Sequence, residues 1–220
     1  MTTLIDIQRR VGVTPDGKWG PNTADAIWKA LGAERELANP QAFFKAVRDV
    51  TGGLDQVQVD VINAMLAKAS SWSIAWLAYG LATAWHEARL RPIEEIGKGK
   101  GRKYGVPGRN KGQVPYGRGL VQITWDNNYE EADSRLGLGG KLISDYSLAL
   151  LPDIAVAILV DGMTKGWFTG KGLGDYLPDE RGTIQQFTDA RRIINGTDRA
   201  DLIAGYAQRF QAALQVGGWA

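Results

Sequence analysis

The chain has 220 residues, 26 Lys plus Arg against 24 Asp plus Glu, one His and no Cys. That length holds one good core and a small accessory unit, and a net charge of +2 argues neither for nor against a nucleic-acid partner. Without Cys there is no disulfide, no thiol nucleophile and no thiolate metal site; a single His excludes a His cluster for zinc within one chain. A Ser-His-Asp triad would have to use His86, so the chemistry that remains is carboxylate chemistry.

The N-terminus, Met1-Thr2-Thr3-Leu4-Ile5-Asp6, lacks a basic segment followed by an apolar run, so it does not read as a signal peptide. Leu4 to Leu31 read as a compact unit. Ile7, Val11 and Val13 are apolar, and Pro15-Asp16-Gly17 is a turn signal: Pro fixes φ, Asp bonds its own backbone and Gly accepts φ > 0. Pro21-Asn22-Thr23 then opens a helix over Ala24–Leu31, ended by Gly32. The run Gln8 to Val13, with Asp16-Gly17-Lys18-Trp19-Gly20-Pro21-Asn22-Thr23, resembles the core of a three-helix peptidoglycan-binding module. The resemblance implies wall contacts from Asp16, Trp19, Asn22 and Thr23. Residues 1–33 are therefore expected to form this module, and the polar stretch 34–42 a linker.

Residues 43–220 are expected to form a second domain. Apolar residues at helical spacing predict helices over Gln41–Val50 and Gln56–Lys68, through Phe43, Phe44, Val47, Val57, Val61, Ile62 and Met65. Trp72–Glu87 reads as a third helix. The uncharged run Ala69–Trp85 is short for a bilayer span and carries Ser70, Ser71, Ser73 and Thr83, so it reads as a buried helix. Gly97 to Gly119 is glycine-rich and irregular or a short hairpin. Leu120–Trp125 has strand character. Helices come next over Leu148–Met163, broken near Pro152, then Thr183–Ile194 and Arg199–Val216. The fold class is mainly α (α+β), with a small helical N-terminal module.

The chemistry concentrates in three places. Glu87 ends the most apolar helix, where partial burial penalises the charged form of a carboxyl, as a general acid requires. Glu94 and Glu95 come past Pro92, and a turn there would bring a second carboxylate near enough to activate water. Tyr116-Gly117-Arg118-Gly119-Leu120-Val121-Gln122-Ile123-Thr124 is the third. Its glycines permit close approach, Arg118 can pair with a buried carboxylate, and Gln122 and Thr124 would share one face of a strand. Asn127, Asn128 and Tyr129 come after it as hydrogen-bonding groups.

Together, His86-Glu87, Pro92-Ile93-Glu94-Glu95, the Tyr116 to Thr124 segment and Arg191-Arg192-Ile193-Ile194-Asn195-Gly196 resemble glycoside hydrolase family 19, the plant-type chitinases and related phage endolysins. The resemblance implies a two-lobed, lysozyme-like catalytic domain. It implies Glu87 as general acid, Glu95 as the base that activates water, and Thr124 as a holder of that water. It implies substrate contacts from His86, Tyr116, Arg118, Gln122, Asn128 and Asn195. The spacing of eight residues between the carboxylates matches the bacterial and phage branch, and Glu94 stands as a rival base.

The expected activity is hydrolysis of the β-1,4 bond between N-acetylmuramic acid and N-acetylglucosamine in bacterial peptidoglycan, with inversion and without metal or cofactor. Chitin cleavage and non-catalytic wall binding are the alternatives. The Lys-rich loop Gly97–Gly112 reads as a cleft rim facing anionic wall; a nucleic-acid reading would predict salt-dependent DNA affinity. The final helix reads as core packing, with no stable membrane insertion. The resemblance suggests a monomer, made in the host cytoplasm and acting on the wall after release.

Overall fold

The computed structural model describes residues 2–20, 23, 26, 27, 30 and 34–220. Helix α1 (Leu4–Val11) opens on a reciprocal box: Thr3 Oγ1 accepts from the Asp6 amide at 3.2 Å, and the Thr3 amide donates to Asp6 Oδ2 at 3.0 Å. Gln8 is buried and organises the turn after this helix. Its amide nitrogen donates to Asp16 Oδ1, the Lys18 carbonyl and Thr23 Oγ1, and its Oε1 accepts from the Gly17 N–H at 2.8 Å. Asp16 and Thr23 thus hold the turn that follows α1, while Trp19 stands 67% exposed. Asn22 and most of the expected helix Ala24–Leu31 lie outside the described residues.

The expected linker 34–42 is a correction. The Arg35 amide donates to the Ser70 carbonyl, and the Arg35 guanidinium forks onto both oxygens of Glu180 at 2.6 and 2.9 Å. Leu37 bridges to Trp219, and the Asn39 amide donates to the Gly217 carbonyl at 2.8 Å. The Asn39 side chain then caps a helix that begins at Pro40. The segment is stitched to the C-terminus, so the larger domain starts before residue 40.

That domain is helical with a minimal sheet. Helices α2 (Pro40–Thr51), α3 (Gln56–Lys68) and α4 (Ile74–Ala88) come first. Strands β1 (Ile93–Glu94) and β2 (Arg118–Gly119) pair antiparallel, Ile93 opposite Gly119 and Glu94 opposite Arg118. Next come helices α5 (Asp126–Arg135) and α6 (Lys141–Ser144), a 3-10 turn (Tyr146–Leu150) and α7 (Pro152–Lys165). The chain closes with α8 (Ile184–Asp189), a 3-10 turn (Ala190–Ile193) and α9 (Ala200–Gly217). Among the described residues no helix is long and apolar enough to cross a membrane.

Helix α4 is the axis. Ser73 caps it, and all of Leu77 to Ala84 is buried, so it is apolar on every side. Helix α9 packs on α4 and α2, and α3 packs on α7. A second, smaller core gathers Ile123, Tyr129, Ala132, Leu142, Tyr146, Ala149 and Ile158. Helix α7 serves both cores, giving Val156 and Leu159 to the first and Ile158 to the second. Two lobes result, joined by α7 and by the chain running out of α4.

Helix α4 stops before Pro92. Arg89 and Leu90 both take left-handed φ, 52° and 56°. For a non-glycine residue that costs roughly 1–2 kcal/mol. Full burial of Leu90 offsets it by roughly 2 kcal/mol. The Leu90 amide closes on the Ala84 carbonyl at 3.0 Å, and Gln58 Nε2 donates to the Arg89 carbonyl at 2.9 Å. An ion pair between Arg91 and Asp55 and a stack of Arg89 on Trp85 complete the corner. This corner redirects the chain between Glu87 and Glu95.

Candidate active site

Glu87 lies one residue before the end of α4, half-buried. Its Oε1 accepts from Arg191 Nη1 at 2.6 Å. Arg191 is 1% exposed and comes from the 3-10 turn that extends α8. Its Nε donates to the Asp198 carbonyl at 2.9 Å, which fixes the guanidinium plane beside the carboxyl. In the sequence Arg191 stands within a motif that assigns it no role. The two partners lie 104 residues apart, and no local pattern joins them. His86 beside them is held below its usual range, chiefly by burial, with the Glu87 charge opposing.

Glu94 ends β1 and Glu95 follows it, and the two carboxyls find different partners. Glu94 is engaged on all quarters. Tyr116 donates its hydroxyl to Oε1 at 2.5 Å, Lys98 Nζ lies 2.9 Å from Oε2, and Arg118 Nε lies 4.0 Å from Oε1. The Tyr116 hydrogen bond, then Lys98, hold the Glu94 carboxyl below its usual range. Glu95 has two neutral donors instead: the Tyr104 hydroxyl at 2.9 Å and the Gly117 amide at 3.1 Å. The Glu95 amide returns to the Gly117 carbonyl at 2.7 Å. A side chain at position 117 would bring a Cβ within 2.9 Å of Gln122 Oε1 and 3.3 Å of Glu95 Cβ, so Gln122 would have to give way for this loop to close on Glu95.

The expected strand over Leu120–Trp125 is a correction. Gly119 and Gln122 take left-handed φ, 85° and 53°, and Leu120 to Gln122 form a turn closed by the Arg118–Ile123 bridge. Gln122 and Thr124 therefore do not alternate along a strand. Gln122 Nε2 donates to the Ile93 and Gly119 carbonyls at 2.9 and 3.0 Å, tying β1 to the turn. Even so, Gln122, Thr124 and Asn128 come together. They line a cavity of about 140 Å³ with Trp167 and Phe168, and Asn128 Nδ2 donates to the Thr124 carbonyl at 2.6 Å.

Tyr116 and Arg118, expected to touch substrate, are 7% exposed each. The Arg118 guanidinium stacks on the Tyr116 ring at 3.5 Å. Its Nη1 donates to the Val114 and Tyr116 carbonyls and to the Tyr129 hydroxyl. Tyr129 in turn stacks on Tyr146, ring centroids 3.9 Å apart. These residues hold the floor under Glu94 and the 116–117 loop. Asn195 is exposed, its amide bonded to the Arg191 carbonyl at 3.0 Å, one turn beyond the Glu87 ion pair.

The basic loop between Gly97 and Gly112 is bolted to α5. Arg109 forks onto Glu130 at 2.8 and 2.5 Å, and Asn110 donates to Glu130 and to the Tyr146 hydroxyl, both at 2.8 Å. A larger cavity, about 530 Å³, lies at the other end of α4 beside Trp72, Trp76 and Asp161. Trp76 is about 16 Å from Glu87 along the helix axis at 1.5 Å per residue, so that cavity is remote from Glu87.

Comparison with solved structures finds a Glu-to-Gln mutant of chitinase C at a TM-score of 0.51, with 20% identity, covering 80% of this chain and 91% of that one. The fold is that of chitinase C. Chitinase C from Streptomyces griseus HUT6037 is also found, at a TM-score of 0.46 and 19% identity, covering 91% of this chain and 78% of that one. No family model matches the sequence, and no curated protein matches it. What the chitinase fold contributes is the two-lobed, lysozyme-like architecture that carries Glu87 near the end of α4 and Glu95 just after β1.

Proposed function

We propose that the chain is an inverting glycoside hydrolase of bacterial cell wall, cleaving the β-1,4 bond between N-acetylmuramic acid and N-acetylglucosamine. One observation carries the reading. Of the carboxyls past the corner, Glu94 is locked by Lys98, Tyr116 and Arg118, whereas Glu95 meets only neutral donors among the described residues. Glu95 can therefore take a proton from water, and Glu87 can give one to the leaving oxygen.

In this reading the C1–O bond breaks as Glu87 delivers its proton to the glycosidic oxygen. Glu95 removes a proton from water as that water attacks C1 from the opposite face. An inverting pair leaves about 6.5–9.5 Å between its carboxyls for this water. Glu87 ends as a carboxylate beside Arg191, Glu95 ends protonated, and exchange with solvent resets both. Thr124 helps hold the water, while Gln122, Asn128, Asn195 and His86 line the sugar path. Exposed Trp19 supplies a flat apolar face of the kind that stacks on sugar rings, so the N-terminal module adds wall affinity. Release to the wall after synthesis in a bacterial cytoplasm, as a monomer, belongs to the same proposal.

A second reading, a chitinase acting on β-1,4-linked N-acetylglucosamine polymers, is favoured by the likeness to chitinase C. Digestion of purified peptidoglycan, with borohydride reduction and mass spectrometry of the fragments, separates the two. New reduced muramic ends, absent with Glu87→Gln, are expected. Reduced glucosamine ends, or cleavage of chitooligosaccharides alone, would move the assignment to the second reading. Binding without any fragments would reduce the chain to a wall-binding protein.

A further inference from the structure

The face of α4 that carries Glu87 continues inward as a ladder. Tyr79, Thr83 and Glu87 recur at four-residue steps, so they stack along one side of the helix. The segment opposite repeats the spacing. Phe187 of α8 lies flat on the Tyr79 ring, centroids 6.1 Å apart and planes 5° apart, and Arg191, four residues on, donates to Glu87. Between these two contacts lie the Tyr79 hydroxyl and Thr83 Oγ1. Both are buried, and beyond the contact between them neither has a hydrogen-bond partner among the described residues. A threonine inside a helix often turns its hydroxyl to the carbonyl four residues back; Thr83 does not. Burial pushes the Tyr79 phenol well above its usual range, and the Arg191 charge is the largest influence pulling it back, ahead of a contact with Thr83.

We propose that Tyr79 and Thr83 are positioning residues whose hydroxyl oxygens accept the Arg191 guanidinium when Glu87 carries its proton. The inference rests on Glu87 being the general acid. A protonated Glu87 still offers Arg191 a carbonyl oxygen but no negative charge, and a buried guanidinium whose charge is met only by neutral acceptors needs more of them. Two hydroxyl oxygens one and two turns below supply further acceptors, which makes the protonated acid accessible. Once the proton has passed to the leaving oxygen, Arg191 returns to the carboxylate. The other charged or titratable groups facing this helix end are His86 and Arg89 on α4 and Arg199 at the start of α9, which packs along α4. None of them offers an acceptor oxygen.

The test tracks Glu87 itself. In the full chain, the side-chain carboxyl ¹³C resonance of Glu87 is titrated in wild type, Thr83→Val, Thr83→Ser and Tyr79→Phe, beside the pH profile of kcat/KM. Thr83→Val and Tyr79→Phe are expected to lower the titration midpoint and the alkaline limb together by about one pH unit, a roughly tenfold loss of rate above the limb. Thr83→Ser should restore both. Midpoints that stay in place, or rise, would overturn the proposal. Tyr79→Phe keeps the ring stacked on Phe187 and carries the test if Thr83→Val fails to fold. The titration needs no substrate. Absence of hydrolysis by the wild type would therefore sink the hydrolase reading by itself, while an unmoved midpoint would sink this one.

Discussion

The Arg191–Glu87 pair ties the last turn of α4 to the segment after α8, and its strength can be worked from its surroundings. The Arg191 side chain is 1% exposed and the Glu87 side chain 24%, so the pair is partly desolvated. Two unit charges about 4 Å apart at an effective dielectric near 20 attract by about 4 kcal/mol. Desolvation of both groups removes part of that, and a charge-assisted hydrogen bond nets about 1.5–3 kcal/mol. A double-mutant cycle with Arg191→Met and Glu87→Gln should return a coupling of about 2 kcal/mol. Arg191→Met alone should cost about 3 kcal/mol, because the Asp198 carbonyl also loses its donor. Glu87→Gln should cost less, since an amide oxygen still accepts from Arg191. Urea unfolding of the four proteins at pH 7 measures all of this. A coupling below about 0.5 kcal/mol, the range of exposed pairs, would refute the claim that burial makes this contact strong.

Other consequences concern the second carboxylate and its loop. Glu95→Gln should lower kcat by at least about a hundredfold, the scale of a lost general base, while Glu94→Gln keeps the larger share of activity; the reverse order would move the base to Glu94. Glu94 is held below its usual carboxyl range, so it stabilises the fold at neutral pH and that contribution is lost as pH falls below about 4.5 through its depressed value. Thermal melts from pH 6 to pH 3 should therefore fall less steeply for Glu94→Gln than for wild type, and equal slopes would count against the Lys98–Tyr116–Glu94 cluster. Gly117→Ala puts a methyl against Gln122 and Glu95 and should cost about 1–3 kcal/mol with a larger relative loss of activity. Denaturant melts and turnover read together would detect the opposite, an active enzyme with an unmoved loop.

The helices that build the larger core were readable because each carries an apolar repeat. Gln56–Lys68 was expected over the same residues that fold as α3, and Pro152, expected as a break, is the first residue of α7. Helix α5 carried no such signal: among its residues only Tyr129, Ala132 and Asp133 are buried, so the stretch looks polar throughout. The strand expected over Leu120–Trp125 shows how alternation misleads. Val121 and Ile123 flank Gln122 as in a strand, yet Gln122 takes a left-handed turn conformation that its side-chain bonds to Ile93 and Gly119 support. The stretch 34–42 looked like a linker because its bonds run to Ser70, Glu180 and the chain's last residues, far off in sequence. The same holds at the site. The helix end and Pro92 make Glu87 and the pair Glu94-Glu95 candidates, whereas Arg191 on Glu87 and Lys98 with Tyr116 on Glu94 depend on how the chain folds back.

Inversion is tested most directly by the stereochemistry of the first product. Proton NMR at the anomeric position, during hydrolysis of soluble β-1,4-linked amino-sugar oligomers from peptidoglycan, reports it within the first turnovers. The α-anomer should form first and relax to the mutarotation mixture, with no product from Glu87→Gln. A β-anomer formed first would mean retention and a nucleophilic carboxylate or acetamido group, and would contradict the assignment of Glu95 as the base that activates water.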